Sequence, residues 1–183
     1  MGLITRRAVV AAAGGTLAAA SWPRKLRAQD LKDLGAALKT SNPPVAAPDV
    51  VFLDAGGARH HLSDFRGHGM VINLWATWCV PCVAEMPSLA ALSKTLAPAD
   101  IAVLPLSSDR GGAPAVEAFF HKHAIGGLPV LLDPEGAAAR AFGAEGIPTS
   151  VVIDKAGRER ARLEGSADWS TPDAAAAVRK LAG

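Results

Sequence analysis

The sequence predicts an α/β fold: a mixed central β-sheet covered by helices on both faces, with a β-hairpin extension at its N-terminal side. Three observations carry this. Met70–Ala76 is a nearly continuous apolar run between Gly69 and a cysteine-bearing loop, the pattern of a strand buried on both faces. From there to Leu132, strand-like and helix-like segments alternate. The chain then closes with a hairpin and a helix.

Taken in order, Val50–Leu53 and Arg59–Leu62 read as a hairpin across Ala55-Gly56-Gly57. A helix is expected from Cys79–Pro81 towards Leu96, with a kink at Pro87. Ile101–Ser107 is the next strand, Ala113–His123 the next helix, and Pro129–Leu132 a short strand. A helical turn around Ala137–Phe142 follows. Ser150–Asp154 and Arg158–Glu164 pair across Lys155-Ala156-Gly157, and Thr171-Pro172-Asp173 opens the closing helix, with proline at the first helical position.

With 183 residues, the chain holds one ordinary domain plus an extension. Residues 1–28 read as an export signal, 29–48 as a short helix and Pro-rich linker, and 49–183 as the domain. Arg6 and Arg7 precede a weakly apolar run, Ala8–Trp22, that would span about 22 Å as a helix, short of the roughly 30 Å hydrocarbon core. Thr5-Arg6-Arg7 resembles the start of a twin-arginine signal. Ala18 and Ala20, or Ala28, suit cleavage, so a soluble periplasmic product is expected; an inner-membrane anchor is the alternative.

Half the residues are apolar and a fifth are charged, which excludes a disordered chain. The formal net charge of +2 belongs to the leader. Setting aside its five basic residues leaves 14 of 19 against 17 acidic ones, a net −3, and no case for nucleic acid. The only two cysteines sit three apart, too few and too close for a disulfide framework. None of the five histidines completes a zinc-ligand motif with them, so no metal or other cofactor is expected. A redox dithiol remains.

Trp78-Cys79-Val80-Pro81-Cys82 follows a strand and opens a helix. A Cys79 thiolate there would face the unpaired N–H groups at the helix start, which lowers its pKa. Cys79 is thus the expected exposed nucleophile, and Cys82, one turn on, the resolving thiol. Pro81 suits a helix start, and Val80 adds no charge, so a moderate thiol rather than a strongly acidic one is expected. Glu85 lies three residues beyond Cys82. It is either a solvated helix-face carboxylate or, if partly buried, an acceptor for the Cys82 proton. Gly146-Ile147-Pro148-Thr149 precedes an apolar strand. Pro148 is either an ordinary strand-entry proline or a cis proline that leaves the Ile147 backbone free to pair with an extended substrate. Trp78 is expected to shape the active surface, and Trp75 and Trp169 to be structural.

Asn73-Leu74-Trp75-Ala76-Thr77-Trp78-Cys79-Val80-Pro81-Cys82-Val83-Ala84-Glu85-Met86-Pro87 resembles the signature of the TlpA/ResA/CcmG-like branch of the thioredoxin superfamily. Gly146–Thr149, Ile153–Gly157 and Gly165-Ser166-Ala167-Asp168-Trp169 extend the likeness, which covers about Val45 to Gly183. The resemblance implies a thioredoxin fold, a cis bond at Pro148, and disulfide reduction outside the cytoplasm. It implies a proton-accepting role for Glu85, while Asn73 stands where thioredoxin itself usually has a buried aspartate. The implied substrates are exported cysteine-containing proteins, in cytochrome c maturation or cytochrome oxidase copper-site assembly. The implied electron donor is a membrane thiol carrier of the DsbD/CcdA type. A peroxiredoxin is disfavoured because Thr77 lies only two residues before Cys79 and a second cysteine crowds the site. A thiolate copper site lacks a third ligand at a fitting spacing.

Overall fold

The computed structural model describes residues 34–183, so the expected export signal lies outside the described residues. The first elements are α1 (Leu34–Ala37), β1 (Lys39–Ala46), β2 (Val51–Asp54) and β3 (Arg59–His61). β4 (Gly69–Trp75), α2 (Val80–Leu96), β5 (Ile101–Ser107), α3 (Gly112–Lys122) and β6 (Leu131–Leu132) follow. The chain ends with α4 (Ala137–Ala141), β7 (Thr149–Ile153), β8 (Arg158–Glu164) and α5 (Pro172–Ala182).

The strands form one sheet of eight in the order β1-β8-β7-β4-β5-β6-β2-β3. β4, buried along its whole length, runs parallel to β5 and antiparallel to β7. Side chains alternate across it. Val71 and Trp75 face one core with Met86, Leu89, Phe119 and Trp169; Met70, Ile72 and Leu74 face the other with Phe52, Leu106 and Phe142. Burial on both faces explains why the strand reads as apolar rather than alternating. The hairpin β2–β3 lengthens the sheet by pairing Leu53 with Leu132 of β6.

α2 continues through Pro87, whose ring removes the N–H that would reach the Val83 carbonyl. β6 is shorter than expected, and Pro129 lies before it without a backbone donor to offer a ladder.

The linker expected before Pro48 needs correction. Lys39–Ala46 is an edge strand paired antiparallel with β8, from Lys39 opposite Arg162 to Ala46 opposite Arg158. Its register breaks between Thr40 and Val45, where Asn42-Pro43-Pro44 lies and the Asn42–Pro43 bond is cis. Prolines stop a central strand because they cannot donate to the ladder. On an edge, at an irregularity, they are tolerated. The short α1 does form. Leu34 and Leu38 are buried in the core shared with α5, which ties this segment to the domain.

Candidate functional site

The reactive pair sits where β4 hands over to α2. Cys79 is the N-cap residue, with extended backbone, and the backbone N–H of Cys82 donates to its Sγ at 3.3 Å. A sulfur there occupies the place usually taken by a capping oxygen, facing N–H groups that have no partner within the helix. Val80 and Pro81 form the first turn without charge, and Pro81 gives up no needed donor. The two sulfurs are bonded, with Cα atoms 5.2 Å apart, so the described state is the oxidised one.

The loop ahead of the pair is pinned by Asp109. Its carboxylate accepts from Thr77 N at 2.8 Å, Thr77 Oγ1 at 2.6 Å and Ser107 Oγ at 2.7 Å. Ser108 N donates to the Trp75 carbonyl at 3.0 Å, so the end of β5 clamps the end of β4.

Against this corner stands Ile147-Pro148, joined by a cis bond. The Ile147 carbonyl oxygen lies 3.7 Å from Cys79 Sγ, and neither its N–H nor its carbonyl has a backbone partner among the described residues. Trp78 and Val80 stand out beside the pair, Trp78 68% exposed. Pro81 is exposed and Pro148 buried. Cys79 itself departs from the expectation of an exposed nucleophile: it is only 6% exposed, against 0% for Cys82. The physical reason is local. Its sulfur is bonded to Cys82 and covered on another side by the Ile147 backbone.

Glu85 is not a solvated helix-face residue. It is 2% exposed on the inner side of α2, where Asn73 Nδ2 donates to its Oε1 at 2.9 Å. Ala167 N and Trp169 Nε1 donate to its Oε2 at 3.1 and 3.3 Å. Burial disfavours the charged form and lifts the carboxyl from 4.5 to about 7, although the three donors pull the other way. Ser88, one turn on, accepts from Trp169 N at 3.1 Å and donates to the Glu85 carbonyl at 2.8 Å. The segment around Ala167–Trp169 is thereby fastened to α2. An open hollow of about 450 Å³ lies between them, lined by Glu85, Pro87, Ser88 and Asp168.

The structure therefore gathers Trp78, Cys79, Val80, Pro81, Ile147 and Pro148 on one surface, with Cys82 and Glu85 beneath it along α2. Sequence reasoning missed three members of the deeper layer. Asn73 sits alone among apolar residues in a buried strand, a signal that its amide must find a polar partner. Ser150, opposite it on β7, is that kind of partner, at 2.9 Å. Trp169 was expected to be packing alone, yet its indole N–H holds Glu85.

Such a site can exchange disulfides: a capped, helix-end sulfur, a buried second sulfur bonded to it, and a proton-accepting group whose pKa lies near neutrality. Among the described residues, no group of three or more His, Cys, Asp or Glu side chains could hold a metal ion. Nor is any helix there long and apolar enough to cross a membrane.

Comparison with known proteins agrees. Residues 42–178 match the Redoxin family. The chain is 33% identical over 122 residues to the thiol-disulfide oxidoreductase ResA of Geobacillus thermodenitrificans, covering 66% of this chain and 68% of that protein. Among solved structures, a thioredoxin-family thiol:disulfide interchange protein from Chlorobium tepidum superposes with a TM-score of 0.61 at 25% identity, over 76% of this chain and 97% of that one. The exposed lipoprotein thioredoxin of Streptococcus pneumoniae gives 0.60 at 26% identity, over 73% and 98%. The chain thus belongs to the Redoxin family: it is a thiol–disulfide oxidoreductase with the thioredoxin fold, similar to ResA, and cysteine-containing proteins are its substrates.

Proposed function

We propose that this protein is exported to the periplasm and there reduces disulfides in other exported proteins. The observation that carries the reading is Cys79 at the N-cap of α2, with Cys82 N–H at 3.3 Å from its sulfur and the unpaired Ile147 backbone 3.7 Å away. A substrate strand lying along Ile147 and the buried Pro148 brings its disulfide to Cys79, with Trp78 and Pro81 as the flanking surface. The Cys79 thiolate attacks one substrate sulfur, the substrate S–S bond breaks, and the departing substrate thiolate takes a proton from water. Cys82 then loses its proton to Glu85 and attacks the Cys79 sulfur; the Cys79–substrate bond breaks, and the second substrate sulfur leaves as a thiolate that takes its proton from solvent. Two electrons pass to the substrate, and the protein ends with the Cys79–Cys82 bond.

The leader over 1–28, with Thr5-Arg6-Arg7, supports export by the twin-arginine route. A reductase in an oxidising compartment must be recharged, and a membrane thiol carrier of the DsbD/CcdA type fits that need. Its work is cytochrome c maturation or assembly of a cytochrome oxidase copper site, both of which require reduced cysteines.

The test is a trap. Cys82→Ser, expressed in the native host with its leader, leaves a mixed disulfide that no internal thiol can break, so reducible adducts with exported proteins should accumulate. Cys79→Ser should give few, because Cys82 has no exposed surface. Apocytochrome c among the adducts assigns the first pathway, an oxidase copper protein the second. Equal trapping by both variants would overturn the division of roles.

A further inference from the structure

Glu85 is held unevenly. Its Oε2 accepts the Ala167 backbone N–H and the Trp169 indole N–H, groups that can only donate. Its Oε1 meets a single donor, Asn73 Nδ2, at 2.9 Å. A proton arriving at the carboxylate therefore settles on Oε1. On the lone pair that Asn73 leaves free the proton has no recorded acceptor among the described residues; on the Asn73 side it gains one once the amide turns its oxygen towards it.

Asn73 is built for that change. Both N–H bonds of Nδ2 are in use, on Glu85 Oε1 and on Ser150 Oγ, each at 2.9 Å. Oδ1 is buried and, among the described residues, has no hydrogen-bond partner. Half a turn about the terminal torsion exchanges the two ends. Oδ1 then accepts from the Glu85 O–H and from the Ser150 hydroxyl, whose proton is free to rotate. One end of the amide is orphaned in either orientation, so the proton on Glu85 decides between them.

We propose that Asn73 is a positioning residue for proton transfer at Cys82: its amide donates to the Glu85 carboxylate, turns over when Glu85 takes the proton, and then accepts from the acid. This rests on Glu85 serving as the base for Cys82. In the step the Cys82 S–H bond breaks, an O–H bond forms at Glu85 Oε1, and a Cys82 thiolate is left. The shift of Glu85 arises from burial against hydrogen bonds alone, with no charged neighbour contributing. Asn73 on β4 and Ser150 on β7 do not titrate, α5 packs with alanines and Val178, and Asp168 of the adjoining loop is engaged by Ser170 N and Oγ.

Two measurements on the whole chain test it. In ¹⁵N-labelled oxidised protein titrated from about pH 5 to 9, both Asn73 Nδ2 proton signals should move upfield together as Glu85 protonates, with a midpoint near 7. Glu85→Gln should abolish that response. Movement of one signal alone, or of neither, overturns the turnover of the amide, and this readout needs no variant at Asn73. In stopped-flow resolution of a mixed disulfide, Asn73→Leu should displace the bend in the rate–pH profile upward by about one unit. A bond to the anion is worth more than one to the neutral acid. If Glu85→Gln removes the bend but Asn73→Leu leaves it unshifted, this inference alone fails. If the bend survives Glu85→Gln, the base assignment fails first.

Discussion

Cys79 and Glu85 lie six residues apart, yet their chemistry has different origins. Cys79 works through its immediate neighbours: the N–H of Cys82 three residues on, and the first turn of the helix that Pro81 helps to start. Glu85 works through residues far away in the chain, Asn73, Ala167 and Trp169, the last two separated from it by 82 and 84 positions. The sulfur's setting is thus a property of a helix end, whereas the carboxyl's proton affinity is a property of the assembled core. The surroundings of the Cys79 sulfur are set within four residues, while those of the Glu85 carboxyl depend on what the rest of the fold packs against the helix.

The largest expected effect tests the local half. If the helix end and the neutral Val80-Pro81 pair set the thiol chemistry, the dithiol should be reducing, on the order of −200 to −280 mV. Equilibration against glutathione measures this. A value near −120 mV would require roughly 4 to 7 kcal/mol of extra stabilisation of the reduced form, from groups the local account omits.

Next comes the burial of Glu85. Its carboxyl titrates at about 7 folded, against 4.5 as its ordinary value. A raised acid pKa means that the folded state holds its proton more tightly. Its stabilising contribution is therefore complete below about 4.5, fades as the unfolded chain ionises between 4.5 and 7, and is gone above that. The oxidised protein should lose about 3 kcal/mol from this group between pH 4.5 and 8. Glu85→Gln should flatten that slope in urea unfolding at the two pH values. An unchanged slope would show that the carboxyl is solvated in solution, and the contrast with Cys79 would collapse.

The smallest effect sharpens the distant half. Trp169→Phe keeps most of the buried ring and removes one of three donors to Glu85, at about 1 kcal/mol. The midpoint of Glu85 should rise by less than about one unit, visible in the same unfolding series or in the pH dependence of resolution. An unmoved midpoint with lowered stability would return Trp169 to packing alone.

Much of the architecture was legible because strands and helices write their periodicity into neighbouring residues. β4, α2, β5, β8 and α5 stand close to where apolar runs, Pro81 and Thr171-Pro172 place them. β1 was not legible. Asn42-Pro43-Pro44 argues locally against a strand, and only the free edge of β8 makes one there. Ser150 and Trp169 escaped for a similar reason, since nothing near them in the chain announces Asn73 or Glu85.

By itself the sequence determined the reactive pair and its place at a strand-to-helix junction, because each depends on contacts within a few residues. Tertiary structure decided how far Cys79 is covered, how Ile147 meets it, and that Glu85 is buried with a near-neutral pKa. Burial and hydrogen bonding across β4, α2, β7 and the Ala167–Trp169 segment exist only once the chain has closed on itself, and no local pattern records the free energy of that meeting.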